Sequence, residues 1–298
     1  MNSIARWLVV TFMMTICSLS SAGALNEAVK RHDVVARAIE GRANVENLQP
    51  RAHGKVGLVW ANGVDDHLHQ YVTSKTHYLY TWHPHCPSRA AELGLACGRM
   101  LWGPRELILF RELRTHPGTW ILIGMNEVNE PSQSNISPEY GIKLWNEEIR
   151  PFGLKGYKLV SPSVTSGPSG KAWFKKFFAG CGNYDGQSHC GVHVLAIHIY
   201  VTGVSTFKSM ATDFHNSFGL TMWISEFACQ DFVGGPQASM SHIWEFMTQV
   251  TQWMNEQNWI EAYFAFGLLH DMWNVNYANQ LMKSDGSPSS LGHYYINS

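Results

Sequence analysis

Leu220-Thr221-Met222-Trp223-Ile224-Ser225-Glu226-Phe227-Ala228-Cys229 is the stretch on which the fold turns. An apolar, strand-like run carries one acid, Glu226. The turn residues Gly234-Gly235-Pro236 follow, and then a long amphipathic pattern. A carboxylate at the carboxyl end of a buried strand, just ahead of a βα loop, is where α/β barrels place their chemistry. A buried Glu is costly without partners. On this stretch alone a salt-bridged core Glu is the plain alternative, and a second acid upstream decides against it.

Outward from there, the chain from His53 onward alternates short apolar runs with helical patterns, the signature of a parallel sheet. Strands are expected at Lys55–Trp60, His77–Trp82, Gly98–Trp102, Trp120–Met125, Lys158–Ser161, Val192–His198, Thr221–Ser225 and Ala262–Gly267. Ser137-Pro138 opens a helix running to Ile149, with Ser as N-cap and Pro in the first turn. Another helix follows Gln237, where Met240, Ile243, Trp244, Met247, Val250 and Met254 share one face. Gly170–Ala179 and Ser205–Phe218 read as two more. The fold expected is α/β, a single-domain (β/α)8 TIM barrel over residues 53–298. A doubly wound open sheet is the alternative, but no Gly-rich phosphate loop follows the first strand.

Composition agrees with one large core. The 298 residues are 45% apolar with 12 Trp, enough to bury a barrel interior. A net charge of −1 with only 15% charged residues gives no basic patch for nucleic acid. The pattern suits a monomer acting on a neutral ligand. Residues 1–24 read as a secretory signal: Arg6, the apolar run Trp7–Ile16, then small residues ending in Ala22-Gly23-Ala24. That run is too short to span a bilayer. The expectation is a secreted, extracellular or cell-wall protein with no membrane partner. Residues 25–52 are polar and poor in aromatics, a propeptide or flexible lead-in, with a short helix laid on the barrel as the alternative. Cys17 leaves with the signal. Of the rest, Cys181 and Cys190 bracket a Gly/Asn/Asp-rich loop and are paired; Cys86 with Cys97 is the second pairing, and Cys229 is left over.

The strand ends carry the chemistry. They read Trp60-Ala61-Asn62-Gly63, Tyr80-Thr81-Trp82-His83, Met100-Leu101-Trp102-Gly103, Gly124-Met125-Asn126-Glu127, His198-Ile199-Tyr200 and Ser225-Glu226. Each alone could be structural; six together on one barrel face are harder to explain that way. Two carboxylates on strands four and seven suit glycoside hydrolysis, in which one proton must reach the leaving oxygen and one charge or nucleophile the anomeric carbon. Trp faces offer flat platforms for sugar rings, and Asn and His can read hydroxyls. His83-Pro84-His85-Cys86 resembles a metal cluster, but no second ligand group has suitable spacing. Neither metal nor cofactor is expected. Ser161 and Ser163 lack a neighbouring His/Asp set, which argues against a serine hydrolase.

In that order these residues resemble glycoside hydrolase family 128, the clan A β-1,3-glucanases with an alkali-sensitive-linkage-like catalytic core. The likeness runs through Leu101-Trp102-Gly103, Gly124-Met125-Asn126-Glu127, Ser132–Pro138, Ser161-Pro162-Ser163, His198-Ile199-Tyr200, Ser225-Glu226-Phe227 and Asp285-Gly286 to Leu291-Gly292. It implies Glu127 as acid/base, Glu226 as nucleophile, Asn126 on the sugar 2-hydroxyl, and His198 and Tyr200 orienting the pair. Trp82 and Trp102 are candidate platforms, with rim packing as the plain alternative. Asn62 and Phe266 complete the candidate sugar-binding set. The function implied is a retaining endo-β-1,3-glucanase; a glucan-binding, lectin-like barrel and a clan A glycosidase for another polysaccharide are the alternatives. Two departures stand out: Val128 replaces the family's Pro after the Asn-Glu pair, and Phe264-Ala265-Phe266-Gly267 has Ala265 where a sugar-stacking Trp is expected. Asn129-Glu130-Pro131 is a second copy of the motif. Glu127 is favoured because it directly follows the apolar strand and keeps the family's count to Ser132.

Overall fold

In the computed structural model, which describes residues 54–63, 66–182 and 189–298, eight parallel strands close into a barrel in sequence order. They are β1 (Val56–Val59), β2 (Thr76–Tyr80), β3 (Ala96–Met100), β4 (Ile121–Ile123), β5 (Lys158–Thr165), β6 (Val194–Tyr200), β7 (Thr221–Ala228) and β8 (Ile260–Ala265). β1 pairs with both β2 and β8, which rules out the open sheet. The expected signal and lead-in, residues 1–24 and 25–52, lie outside the described residues, as does Cys17. Among the described residues no helix is long and apolar enough to cross a membrane.

Alternation along each strand sorts the core into two layers. Val59, Tyr80, Met100, Ile121, Ile123, Val160, Val194, Ala196, Trp223, Ala262 and Phe264 fill the barrel. Their neighbours Leu58, Leu79, Leu122, Leu159, Leu195, Ile224 and Tyr263 pack outward under the helices. Gly57 is required inside: a Cβ there would sit 2.2 Å from the Phe264 ring. At the amino end the barrel is closed by a polar set, with Lys158 Nζ 2.5 Å from Glu261 and donating to Tyr78 Oη at 3.1 Å.

The α-helices are α1 (Leu107–Leu113), α2 (Pro138–Leu144), α3 (Pro168–Gly180), α4 (Val204–Phe218), α5 (Met240–Glu256) and α6 (Ser290–Tyr295). Ser137 caps α2, its Oγ accepting the Tyr140 N–H, with Pro138 in the first turn. A π-helical turn continues α2 to Ile149. There the buried Glu148 accepts bonds from Arg111 and Arg114, joining α1 to this segment. On α5 the buried stripe is Ile243, Phe246, Met247, Val250, Thr251 and Met254. Met240, expected on it, is 52% exposed. Disulfides join Cys86 to Cys97 and Cys181 to Cys190, and Cys229 is buried and free.

Two strands run longer than expected, and both contain bulges. β5 continues past Ser161 to Thr165. Opposite β6, Val160 pairs with Val194 and Ser163 with Ala196, so one extra residue is inserted at Ser161-Pro162. A proline within a sheet is accommodated at such a place. Ser161 Oγ accepts the Ala196 N–H at 2.9 Å, replacing a lost ladder bond. β7 continues past Ser225 to Ala228, and the step from Ile197/Ile224 to His198/Glu226 leaves Ser225 as the extra residue. Its effect decides the site. Met222 and Ile224 face outward, and strict alternation would send Glu226 the same way. The bulge shifts the parity, so Phe227 packs outward and Glu226 turns into the barrel mouth.

Candidate active site

The mouth is built from the carboxyl ends of β2, β4, β5, β6 and β7. At β4, Gly124 passes so close to Pro162 that a Cβ would meet its nitrogen at 2.4 Å. Asn126 N–H then bonds Trp102 O at 2.9 Å. Glu127 follows with φ of 40°, the left-handed region that non-glycine residues seldom occupy. Such strain costs about 1–3 kcal/mol and persists only where the surroundings enforce it. Here β5 enforces it: Ser163 Oγ accepts the Glu127 N–H at 3.0 Å, and Ser163 O accepts the Val128 N–H at 3.2 Å. The Val128 side chain is buried in the outer core.

The structure brings Glu127, His198, Tyr200, Glu226 and Trp82 together. His198 Nδ1 lies 2.8 Å from Glu127 Oε1 and 3.3 Å from Glu226 Oε2. Tyr200 Oη donates to Glu226 Oε2 at 2.7 Å, and Trp82 Nε1 donates to Glu226 Oε1 at 2.5 Å. Glu127, His198 and Glu226 are all buried, and one donor atom from each lies within 4.8 Å of the others. It is the one group of three such His, Cys, Asp or Glu donors found among the described residues. Burial pushes the Glu226 carboxyl above its ordinary 4.5, with the Glu127 charge adding, while His198, Tyr200 and Trp82 pull it back. For His198 burial acts downward, but Glu226 and Glu127 outweigh it and the imidazole is raised. Burial, with Glu226 beside it, holds the Tyr200 phenol well above its ordinary range, so it stays a donor. Two carboxylates in unequal environments, one with two donors fixed on it, can divide acid and nucleophile roles between them.

The other predicted residues sit around this group. Asn126 is buried, donating to Gln133 Oε1 at 3.3 Å and accepting from Ser163 Oγ at 3.4 Å. Trp102 has the Arg105 guanidinium over its ring at 3.9 Å. The Asn62 amide donates to Leu268 O at 2.8 Å and so ties the β1 end to the loop after β8. Phe266 packs beside Trp82 and Tyr200, ring centroids 5.7 and 6.1 Å away. The second motif copy points elsewhere: Glu130 Oε1 accepts from Thr165 Oγ1 and Asn129 Nδ2, both at 3.0 Å, over the end of β5. Cys86 is bonded to Cys97 and is not an available thiolate beside His83 and His85.

One expectation is corrected. Ala265 does not stand in a sugar platform's place. Ala262 and Phe264 face inward, so Ala265 faces outward into the core beneath the helices, fully buried. Exposed aromatic surface comes instead from Trp273, which packs on the buried Phe266 and which the sequence reading missed. Trp273 is 62% exposed and contacts Trp82 and Phe266 at 5.9 and 6.0 Å. Asp271 Oδ1 accepts the Trp273 N–H at 2.8 Å, and this Asp-x-Trp turn is the signal that could have found it. Ser163 stands in the Ser161-Pro162-Ser163 stretch of the likeness, but its role, holding the backbone of Glu127 and Val128, was not read from the sequence.

Comparison with known proteins places these features among relatives. The glycosyl hydrolase catalytic core family matches residues 57–295. Alkali-sensitive linkage protein 1 of Schizosaccharomyces pombe is 24% identical over 250 residues, 82% of this chain and 44% of that protein, so the chain spans less than half of this relative's length. Among solved structures, a subgroup V exo-β-1,3-glucanase of glycoside hydrolase family 128 from Cryptococcus neoformans superposes with a TM-score of 0.71 at 26% identity, covering 82% of this chain and 98% of that one. A subgroup VII oligosaccharide-binding protein of the same family from Trichoderma gamsii gives 0.68 at 23% identity, covering 84% and 95%.

Proposed function

The chain belongs to the glycosyl hydrolase catalytic core family, and we propose that it hydrolyses β-1,3-glucan with retention of configuration, cutting within the chain. The observation that carries this reading is the carboxylate pair. Glu127 and Glu226 have oxygens within 4.8 Å and share one imidazole nitrogen, whereas inverting pairs stand about 6.5–9.5 Å apart to admit a water. Glu226 attacks the anomeric carbon as a carboxylate. Glu127 gives its proton to the departing glycosidic oxygen, then takes one from the water that releases the sugar. His198 Nδ1, between the two, orients both, and Asn126 lies next to Glu127 for the 2-hydroxyl. Internal cleavage is supported by aromatic side chains at more than one strand end, the partly buried Trp102 after β3 and the 62% exposed Trp273 in the loop after β8. Secretion is supported by the two disulfides, which persist in oxidising compartments.

The family's oligosaccharide-binding members make binding without cleavage the second reading. The test is purified protein on laminarin, with products sized over time. A ladder of oligosaccharides early in the digest is expected. Glucose alone from the outset means end-wise attack, and bound laminarin with no new reducing ends means a binding protein.

A further inference from the structure

Trp82 stands out because its observed contact does not suit a platform. Its backbone is in the left-handed region at φ of 55°. Its ring is boxed by Tyr80, Phe266 and Trp273 at centroid distances of 6.0, 5.7 and 5.9 Å. Its N–H edge is aimed at Glu226 Oε1, 2.5 Å away. Positive φ at a bulky residue is a strained arrangement that the surrounding packing must hold. The arrangement aims the indole edge rather than offering its face.

The two oxygens of Glu226 are unequally engaged. Oε2 accepts from Tyr200 and faces His198 Nδ1; Oε1 has Trp82 alone among the described residues. A carboxylate oxygen has two lone-pair sites, so Oε1 keeps one without a hydrogen-bond donor among the described residues. From this we infer that Oε1 is the attacking oxygen and that Trp82 is a positioning donor which assists the second, sugar-releasing half of the reaction. The inference rests on the reading of Glu226 as nucleophile.

The charge on Oε1 sets the direction of the effect. In the first half an Oε1 lone pair forms the bond to the anomeric carbon. The bond to the leaving oxygen breaks, and that oxygen takes its electron pair and the proton of Glu127. Oε1 loses charge, so the Trp82 hydrogen bond weakens and opposes this step. In the second half a water oxygen bonds to the same carbon and passes its proton to Glu127, while the carbon–Oε1 bond breaks with its electron pair returning to Oε1. Charge now grows on the atom that the indole N–H faces, so the hydrogen bond strengthens in the transition state and lowers the barrier. Removing the N–H must slow release and leave attack unchanged or faster.

The test uses 2,4-dinitrophenyl β-laminaribioside, whose leaving group needs no proton, with wild type, Trp82→Phe, and protein carrying β-(3-benzothienyl)alanine at position 82. The last keeps the indole shape and replaces N–H by sulfur, so it reads the hydrogen bond even if the phenylalanine variant is unstable. Both changes are expected to lower kcat on the order of tenfold or more, the fraction of a charge-assisted hydrogen bond at stake. KM should fall with kcat, a dinitrophenolate burst should appear, and intact mass should show the laminaribiosyl adduct accumulating. An unchanged kcat with a raised KM means a platform, and lowered kcat with neither burst nor adduct means general damage; either overturns the inference alone. A wild type that releases no dinitrophenolate overturns the functional reading as well.

Discussion

Ser163→Ala tests how Glu127 is held, while also removing the longer bond from Ser163 Oγ to Asn126 Oδ1 at 3.4 Å. Ser163 is 1% exposed, and its Oγ accepts the Glu127 N–H at 3.0 Å. Alanine removes one oxygen and leaves that buried N–H without an acceptor, at a cost of about 1–3 kcal/mol. At roughly 2–4 °C per kcal/mol for a domain of this size, Tm should fall by roughly 2–12 °C. Activity should fall further than stability predicts. Glu127 is held at φ of 40° against its own preference, and freeing its N–H lets the backbone relax and carries the carboxyl off line. A displacement near 1 Å can cost on the order of 10²-fold in rate. The loss should fall on laminarin, whose leaving oxygen needs a proton, and largely spare 2,4-dinitrophenyl β-laminaribioside, whose leaving group does not. Thermal melting with kcat on both substrates makes the check. Full laminarin activity in a destabilised variant would mean that Glu127 keeps its place without Ser163. Equal losses on both substrates would mean that the acid is not the group displaced.

Three further outcomes follow from the same geometry. Ala265→Trp should overpack the layer beneath the helices, costing about 1–3 kcal/mol or more, and a thermal melt should show the loss; a stable variant with raised activity would contradict the outward orientation. Glu127→Ala should cripple laminarin hydrolysis yet regain turnover of the activated substrate with azide, giving a glycosyl azide of retained configuration, while Glu130→Ala stays active; the reverse pattern would move the acid to Glu130. Because burial, reinforced by Glu127, holds the Glu226 carboxyl above 4.5 in the fold, activity that needs it ionised is present above that raised value and lost as pH falls through it. A kcat/KM profile should therefore have its acid limb above 4.5, and a limb at or below the ordinary carboxylate value would contradict the account.

The eight strands were legible because apolar runs and turn residues recur in order, and the cap at Ser137-Pro138 because its chemistry is local. Glu226 could be found as an acid on an apolar strand, but its inward aim could not. Met222 and Ile224 fix an outward parity, and only the register against β6 reveals that Ser225 is extra. The bulge at Ser161-Pro162 was hidden for the same reason, although the proline hinted at it. Ala265 is a different kind of miss. The inward alternation Ala262, Phe264, Phe266 was present in the sequence, and following the family motif instead placed the alanine on the wrong face. Trp273 and the hydrogen bond from Trp82 to Glu226 depend on loop conformations at positive φ, which residue spacing does not encode.

The most direct test of the paired-glutamate account is to trap the intermediate. The protein is incubated with 2,4-dinitrophenyl 2-deoxy-2-fluoro-β-laminaribioside, digested, and the labelled peptide sequenced by mass spectrometry. The account predicts one stoichiometric label, on Glu226. A label on Glu127 or Glu130, or active laminarin hydrolysis in protein that takes up no label, would contradict it.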